Sequence, residues 1–134
     1  MSEVLVSEKK YSNGGWKISV DKDLKLVKGV ITGKFNDDEM EEYCQQVIGE
    51  SKKFGKGTSS YLVDTTNFDA KFVTPGQAKA IEKLAVYVSS ECKKAAYIVP
   101  SFMFQKSAEQ ITAGKLTNDK YFTSESEAVK WLRE

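Results

Sequence analysis

Hydrophobic and polar positions change their spacing several times along the chain, and each change predicts a new element. Trp16, Ile18 and Val20 alternate with polar residues, which is the period of a half-buried strand. After a short polar turn, residues 24–35 form a second strand rich in Val and Ile, so the two strands are expected to pair as an antiparallel hairpin. A brief apolar run within residues 1–15 predicts an additional N-terminal edge strand.

The first helix is marked by its start and by a buried stripe. Asn36 is suited to cap the helix, and Glu39 at the third helical position completes a capping box. Apolar residues then recur at the spacing that places them on one helical face. They are Met40, Tyr43, Cys44, Val47 and Ile48. Gly55 and Gly57 are expected to end the helix.

Strands and helices alternate through the rest of the chain. Residues 60–64 and 95–99 are short apolar runs typical of parallel strands buried under helices, and residues 120–122 form a brief last strand. The element order is β-β-α-β-α-β-α-β-α, which predicts an α/β fold with a mixed, mostly parallel sheet. The helices between and after these strands are predicted to start at Thr74, Ser101 and Ser124, and Gln77 is predicted to complete a capping box with Thr74.

Composition narrows the function classes by exclusion. The 134 residues carry 20 Lys and Arg against 19 Asp and Glu, a net charge of +1, which favours neither nucleic acid nor an anionic membrane as a partner. The chain has no histidine, which excludes His-based catalytic triads and zinc–His sites. Since no linker or repeat interrupts the pattern, residues 1–134 are expected to form a single domain.

The cysteines and the first residues of the chain indicate a compartment. Cys44 and Cys92 show no metal-ligand spacing, and both continue apolar helical stripes, so packing is favoured over a redox or nucleophilic role. Residues 1–10 lack the apolar run of a signal peptide, and no stretch is long enough for a membrane span. We therefore expect a cytoplasmic protein with no membrane insertion, no cofactor and no metal.

A known family shares this arrangement of elements. The hairpin, the charged helix, the strand ending at Asp64 and the run at 95–99 together resemble STAS domains, in particular the SpoIIAA-like (STAS/SEC14-like) branch. The segment 121–132 looks like the final strand and helix of that branch, which close on Ala-x-x-Trp-Leu. The resemblance covers residues 16–133. It implies a four- to five-stranded sheet wound as a β/α superhelix, with a binding or regulatory role.

The phosphorylation switch of anti-sigma-factor antagonists is matched only in part. That switch uses an Asp-Ser-Ser-Gly segment, which places a phosphorylatable Ser at the start of the helix after the third strand. Here Thr74–Gly76 occupies the helix start and Asp64–Thr66 follows the strand, and neither segment carries the motif. A phosphate on Thr74 would be stabilised by the N–H groups of the helix N-terminus, but a role as a plain helix cap is favoured.

The candidate binding residues lie in loops that leave the carboxyl ends of the predicted strands, where open α/β sheets bind ligands. The polar candidates are Asp64, Thr65, Thr66 and Thr74, and the aromatic candidates are Phe68, Phe72, Phe102 and Phe104. We expect a non-catalytic regulatory domain that engages a protein partner through these loops. In the alternative hypothesis, the same aromatic residues wall a pocket for a small apolar, lipid-like ligand.

Two further hypotheses remain at this point. An enzyme that uses Asp64 or a cysteine is the weakest, because a working carboxylate needs a second acidic or phosphate group and a thiol needs an activating base. The balanced charge and the aromatic residues also leave a homodimer open.

Overall fold

A mixed sheet and three helices make up the part of the chain that this computed structural model describes, residues 3–69, 73–100 and 118–134. The strands are β1 (Glu3–Lys10), β2 (Gly14–Asp21), β3 (Leu26–Gly33), β4 (Ser60–Phe68), β5 (Lys94–Ile98) and β6 (Asp119–Phe122). The helices are α1 (Asp37–Ser51), α2 (Pro75–Glu91) and α3 (Glu125–Arg133). The helix predicted over 101–113 lies outside the described residues.

The strands lie side by side in the order in which they occur in the sequence. The pairs β1–β2 and β2–β3 are antiparallel, whereas β3–β4, β4–β5 and β5–β6 are parallel. The predicted α/β fold with a mixed, mostly parallel sheet is therefore confirmed. The additional N-terminal strand is also present, and it brings the sheet to six strands where four to five were expected.

The sheet has a separate hydrophobic core on each face. The larger core joins β2–β5 to α1 and α2, and Ile18, Tyr43 and Val88 are among its most deeply buried members. The smaller core packs Ala128 and Leu132 of α3 against residues of β3, β4 and β5. Successive side chains of a strand point to opposite faces, so strands covered on both sides read as continuous apolar runs.

The start of α1 matches the sequence-based prediction, but its end does not. Asn36 accepts a hydrogen bond from the backbone N–H of Glu39, and the Glu39 side chain accepts one from the backbone N–H of Asn36, both at 2.8 Å. This is the predicted capping box, which satisfies two otherwise unpaired helix donors. The helix ends at Ser51 with Lys52 as its C-cap, several residues before the Gly55 and Gly57 that were expected to end it.

The strand β4 is longer than the apolar run predicted. Its pairing with β3 is interrupted between Val30 and Thr32, where β4 carries one extra residue, and the strand then continues to Phe68. Such a bulge breaks the alternation of buried and exposed residues, leaving Thr66 and Asn67 both exposed. The prediction that residues 65–68 belong to a loop is therefore wrong.

Candidate functional site

The carboxyl edge is the side of the sheet where β3, β4 and β5 end and where α1 and α2 begin. The backbone N–H of Asp69 donates to the carbonyl of Gly33 at 2.9 Å, which ties the end of β4 to the end of β3. The side-chain amide of Gln77, buried at 1% exposure, donates to the carbonyl of Phe35. Two strand ends and two helix starts are thus joined into one unit.

Thr74 connects the two helix N-termini at this edge. Its hydroxyl accepts a hydrogen bond from the backbone N–H of Gln77 at 3.1 Å, so the predicted cap of α2 is confirmed. The same hydroxyl donates to the carboxylate of Asp37 in the first turn of α1. Gly76 leaves room for this contact, because a Cβ at that position would lie 2.1 Å from Oδ2 of Asp37.

The geometry around Thr74 bears on the phosphorylation hypothesis. A phosphate on its hydroxyl would displace the bond to Asp37 and place two negative groups side by side. The N-terminus of α2 would favour the phosphate, whereas the carboxylate of Asp37 would oppose it. Phosphorylation of Thr74 stays a prediction, and it would have to separate the starts of α1 and α2.

The three polar candidates that follow one another in β4 have different surroundings. Asp64 is half-buried and accepts a hydrogen bond from the backbone N–H of Thr66 at 2.9 Å. Thr65 is buried, and its hydroxyl donates to the carbonyl of Ile98 at 2.7 Å, which holds β4 against β5. Thr66 and its neighbour Asn67 are exposed. Of these β4 residues, Thr66 and Asn67 are therefore exposed, Asp64 is partly exposed and Thr65 is buried.

The aromatic candidates do not form a surface in the described part of the chain. Phe68 is the last residue of β4, with 8% of its side chain exposed, and its ring packs edge-to-face on Phe35 at a centroid distance of 5.5 Å. It is thus a member of the larger core and not of a loop, contrary to the expectation from the sequence. Phe72, Phe102 and Phe104 lie outside the described residues.

A groove that the sequence analysis did not single out lies beside the carboxyl edge. It has a volume of about 440 Å³ and forms where the ends of β1 and β3 meet the start of β2. Its lining includes Glu8, Lys10, Tyr11, Gly15, Lys17 and Thr32. Lys17 alternates with the apolar Trp16 and Ile18, which predicts that the Lys17 side chain points outward. Only the strand pairing, however, shows that Lys10 and Thr32 lie close to it.

Tyr11, in the connection between β1 and β2, contacts α1 next to this groove. Its hydroxyl donates to the carboxylate of Glu42 at 2.6 Å and accepts a hydrogen bond from the indole N–H of Trp16 at 2.8 Å. Burial, together with the bond to Glu42, raises the pKa of Tyr11 to about 12. The same bond holds the pKa of Glu42 below its ordinary value. The contact is therefore present throughout the neutral range.

Both cysteine thiols are buried. Burial raises the pKa of Cys44 to about 12, so this thiol stays protonated and unreactive at neutral pH. Cys92 is buried at the opposite edge of the sheet, within hydrogen-bond distance of the hydroxyls of Ser51 and Ser59 at 3.4 and 3.6 Å. Within residues 3–69, 73–100 and 118–134, no three His, Cys, Asp or Glu residues are grouped so as to hold a metal ion.

None of the helices in the described ranges has the length and apolar character needed to cross a bilayer. No curated protein matches the chain in sequence. Its structure is similar to the crystal structure of an uncharacterized protein of the DUF3478 family with a SpoIIAA-like fold, from Shewanella loihica PV-4. The TM-score is 0.62 at 16% identity, and the likeness covers 98% of this chain and 94% of that chain.

The sequence comparison with family models agrees with this structural likeness. A model described as SpoIIAA-like matches residues 26–133, from the start of β3 to the end of α3. The matched segment is well over half of the chain and includes every parallel strand pair of the sheet. The chain therefore belongs to the SpoIIAA-like family, as its pattern of elements and its C-terminal segment predicted.

Proposed function

We propose that this chain is a non-catalytic binding domain that engages a regulatory protein partner through the carboxyl edge. The observation that carries the proposal is that hydrogen bonds hold the helix starts of that edge together, since Thr74 caps α2 and also contacts Asp37 of α1. A surface whose backbone is already held in place loses little conformational entropy when a partner docks on it. The carboxyl edge is therefore suited to recognising a protein partner.

Three polar side chains in the second half of β4, two of them exposed and one half-buried, are suited to hydrogen bonding across an interface. Asp64 contributes a carboxylate, Thr66 a hydroxyl and Asn67 an amide, and all three project from one short stretch of β4. A hydroxyl or amide on a rigid strand can discriminate a partner by the donors and acceptors it must satisfy. The SpoIIAA-like fold is itself consistent with a binding or regulatory domain.

The alternative of a carrier for a small apolar ligand has no comparable support. It requires a pocket walled by aromatic residues, but Phe68 fills the core and the remaining candidates lie outside the described residues. A cytoplasmic location remains part of the main proposal, and the two buried free thiols fit a reducing compartment.

The proposal is tested by comparing two matched substitutions of exposed threonines. Thr66→Arg places a long charged side chain on the carboxyl edge, whereas Thr58→Arg places the same side chain at the opposite edge, before β4. The tagged variants and the unmodified chain are used for affinity capture from an extract of the native host. We expect a protein that is retained by the unmodified chain and by Thr58→Arg, and recovered at least about tenfold less with Thr66→Arg.

Two results would overturn the proposal. One is a captured protein whose recovery is the same with Thr66→Arg, at unchanged melting temperature, since the partner would then contact another surface. The other is native mass spectrometry of the protein from its own host that shows a retained small molecule and no protein partner. That outcome would support the carrier alternative.

A further inference from the structure

The turn between β1 and β2 contains an asparagine that is followed directly by glycine. Asn13 is exposed, and its side-chain amide makes no hydrogen bond within the described residues. The backbone nitrogen that follows an asparagine can attack the side-chain carbonyl carbon and close a five-membered ring. Gly14 has no Cβ to hinder that attack, so the pair Asn13 and Gly14 is chemically prone to this reaction.

Packing against the end of β3 allows only glycine at position 14. A Cβ built on Gly14 would lie 2.8 Å from the backbone nitrogen of Lys34 and closer still to the carbonyl oxygen of Thr32. Gly33, which faces Gly14 in the ladder, has a φ of +71°, and a Cβ there would lie 2.7 Å from the Gly14 Cα. Because the obstructing atoms belong to the backbone, the fold itself requires the reactive neighbour of Asn13.

The hydrogen bonds of the turn leave the nitrogen of Gly14 free to react. The N–H of Tyr11 donates to the carbonyl of Gly14 at 2.7 Å, but the reverse bond, from the N–H of Gly14 to Tyr11, is not formed in the described turn. The N–H of Lys34 donates to the carbonyl of Asn13 at 2.9 Å, which makes Gly14 and Gly33 a pair without mutual hydrogen bonds. No ladder bond therefore has to break before the nitrogen attacks.

We propose that Asn13 is a site of spontaneous modification, which the backbone nitrogen of Gly14 converts through a cyclic imide to aspartate and isoaspartate. The nitrogen loses its proton to hydroxide and forms a bond to Cγ of Asn13. The bond from Cγ to Nδ2 then breaks, and the amide nitrogen leaves as ammonia with a proton from water. Water finally opens the imide at either carbonyl. Opening at one carbonyl gives aspartate, and opening at the other gives isoaspartate, whose main chain runs through the side-chain carbon.

The other exposed asparagines of the described residues lack this arrangement. Asn36 caps α1, and its side chain accepts a hydrogen bond from the backbone N–H of Glu39 at 2.8 Å. Asn67 lies within β4 and is followed by Phe68, whose Cβ hinders attack by the backbone nitrogen. Both residues serve as internal controls in the same chain.

The isoaspartate product would disturb the junction between the hairpin and the carboxyl edge. Isoaspartate lengthens the main chain by one methylene group at the point where the carbonyl of Asn13 accepts the N–H of Lys34. The preceding residue, Gly33, accepts the N–H of Asp69 at the end of β4. A longer main chain at position 13 cannot keep both the bond to Lys34 and the close contact with Gly33. The aspartate product changes only the charge of the side chain.

The experiment follows the unmodified folded chain during incubation at several pH values from neutral to mildly alkaline. Peptide mass spectrometry measures the conversion of Asn13, Asn36 and Asn67, and an isoaspartyl methyltransferase labels isoaspartate. We expect Asn13 to convert at least about tenfold faster than Asn67, because only Gly14 lacks a Cβ. The rate at Asn13 should rise with pH, since the deprotonated nitrogen is the nucleophile. Asn13→Gln should remove both the conversion and the label.

The chain unfolded in guanidinium chloride shows whether the fold permits the reaction. The rate at Asn13 in the folded chain should lie within about tenfold of the rate in the unfolded chain. Conversion confined to the unfolded chain would overturn the proposal, as would equal rates at Asn13 and Asn67 or a rate that does not change with pH.

The effect on the fold is tested with a variant of matched charge. The purified isoaspartate form should melt at a lower temperature than Asn13→Asp, which carries the same charge on an ordinary main chain. Equal melting temperatures would contradict the predicted disturbance of the junction.

Discussion

Gly29 in β3 makes room for a polar contact inside the larger core. A Cβ at this position would lie 1.9 Å from the hydroxyl oxygen of Tyr43. That hydroxyl shares a hydrogen bond of 2.6 Å with the hydroxyl of Tyr61, and both tyrosines are buried. A buried polar group without a hydrogen-bond partner destabilises the fold, so each hydroxyl needs the other as its partner. Gly29 provides the space for this pair, because it has no side chain.

Replacing Gly29 with alanine should therefore destabilise the protein by about 2 to 3 kcal/mol, because the methyl group displaces Tyr43 and breaks the hydroxyl pair. The measurement is equilibrium unfolding in urea. Gly49→Ala is the control, since nothing lies within 4 Å of a Cβ built there. On the exposed surface of α1 this control should stabilise by about 0.5 to 1 kcal/mol. A Gly29→Ala variant as stable as the unmodified chain would contradict the argument.

The start of α2 shows how one side chain can organise two elements. The Thr74 hydroxyl caps α2 and also donates to Asp37, while Gln77 turns its amide inward to the carbonyl of Phe35. The sequence predicted a capping box at this helix, with Gln77 reaching back to Thr74. The structure instead uses Gln77 to fix the segment between β3 and α1, so the helix start and the carboxyl edge depend on the same residues.

Removing the hydroxyl of Thr74 should weaken this junction. Thr74→Ala loses the cap and the contact with Asp37, and we expect a loss of about 1 kcal/mol or slightly more in urea unfolding. Thr74→Ser keeps the hydroxyl and is expected to remain within about 0.5 kcal/mol of the unmodified chain. Equal stability of the Ala and Ser variants would show that the cap contributes nothing to the fold.

In the molecule as a whole, the buried tyrosines couple stability to alkaline pH. Burial raises the pKa of Tyr43 and of Tyr61 well above the ordinary value of 10.0. A group whose pKa is higher in the folded state than in the unfolded state binds its proton more tightly when folded. Its contribution to stability is complete below the unfolded pKa and is lost progressively as the pH rises above it.

The free energy of unfolding should therefore fall as the pH rises above about 10, where unfolded tyrosines lose their protons. Urea unfolding at a series of alkaline pH values, with phenolate absorbance recorded in parallel, measures this dependence. We expect Tyr43 and Tyr61 to ionise only as the chain unfolds, and Tyr61→Phe to make the dependence shallower by about one proton. Ionisation of both phenols at an ordinary pKa in the intact fold would refute the assignment.

Local patterns predicted the elements well and their ends less well. The hairpin was predictable because Trp16, Ile18 and Val20 alternate at the period of a strand, and the cap at Asn36 because its signature spans only four residues. The end of β4 was not predictable, because a bulge interrupts the alternation of buried and exposed residues on which strand prediction depends. Phe68 was consequently placed in a loop, whereas the extended strand carries it into the core beside Phe35.

The order of the described strands and helices, the starts of the described helices and the family were predictable from the sequence alone, since periodicity, capping and turn signals act over a few neighbouring residues. For the carboxyl edge, the sequence predicted only that a group of loops lies there. The hydrogen bonds that hold the edge together join Thr65 to Ile98 and Thr74 to Asp37, residues 33 and 37 positions apart. Such contacts depend on how whole elements pack, and the same packing leaves seven of the eight residues of β1 exposed. Short-range preferences therefore selected the elements, and long-range packing selected which side chains meet at the edge and which remain available to a partner.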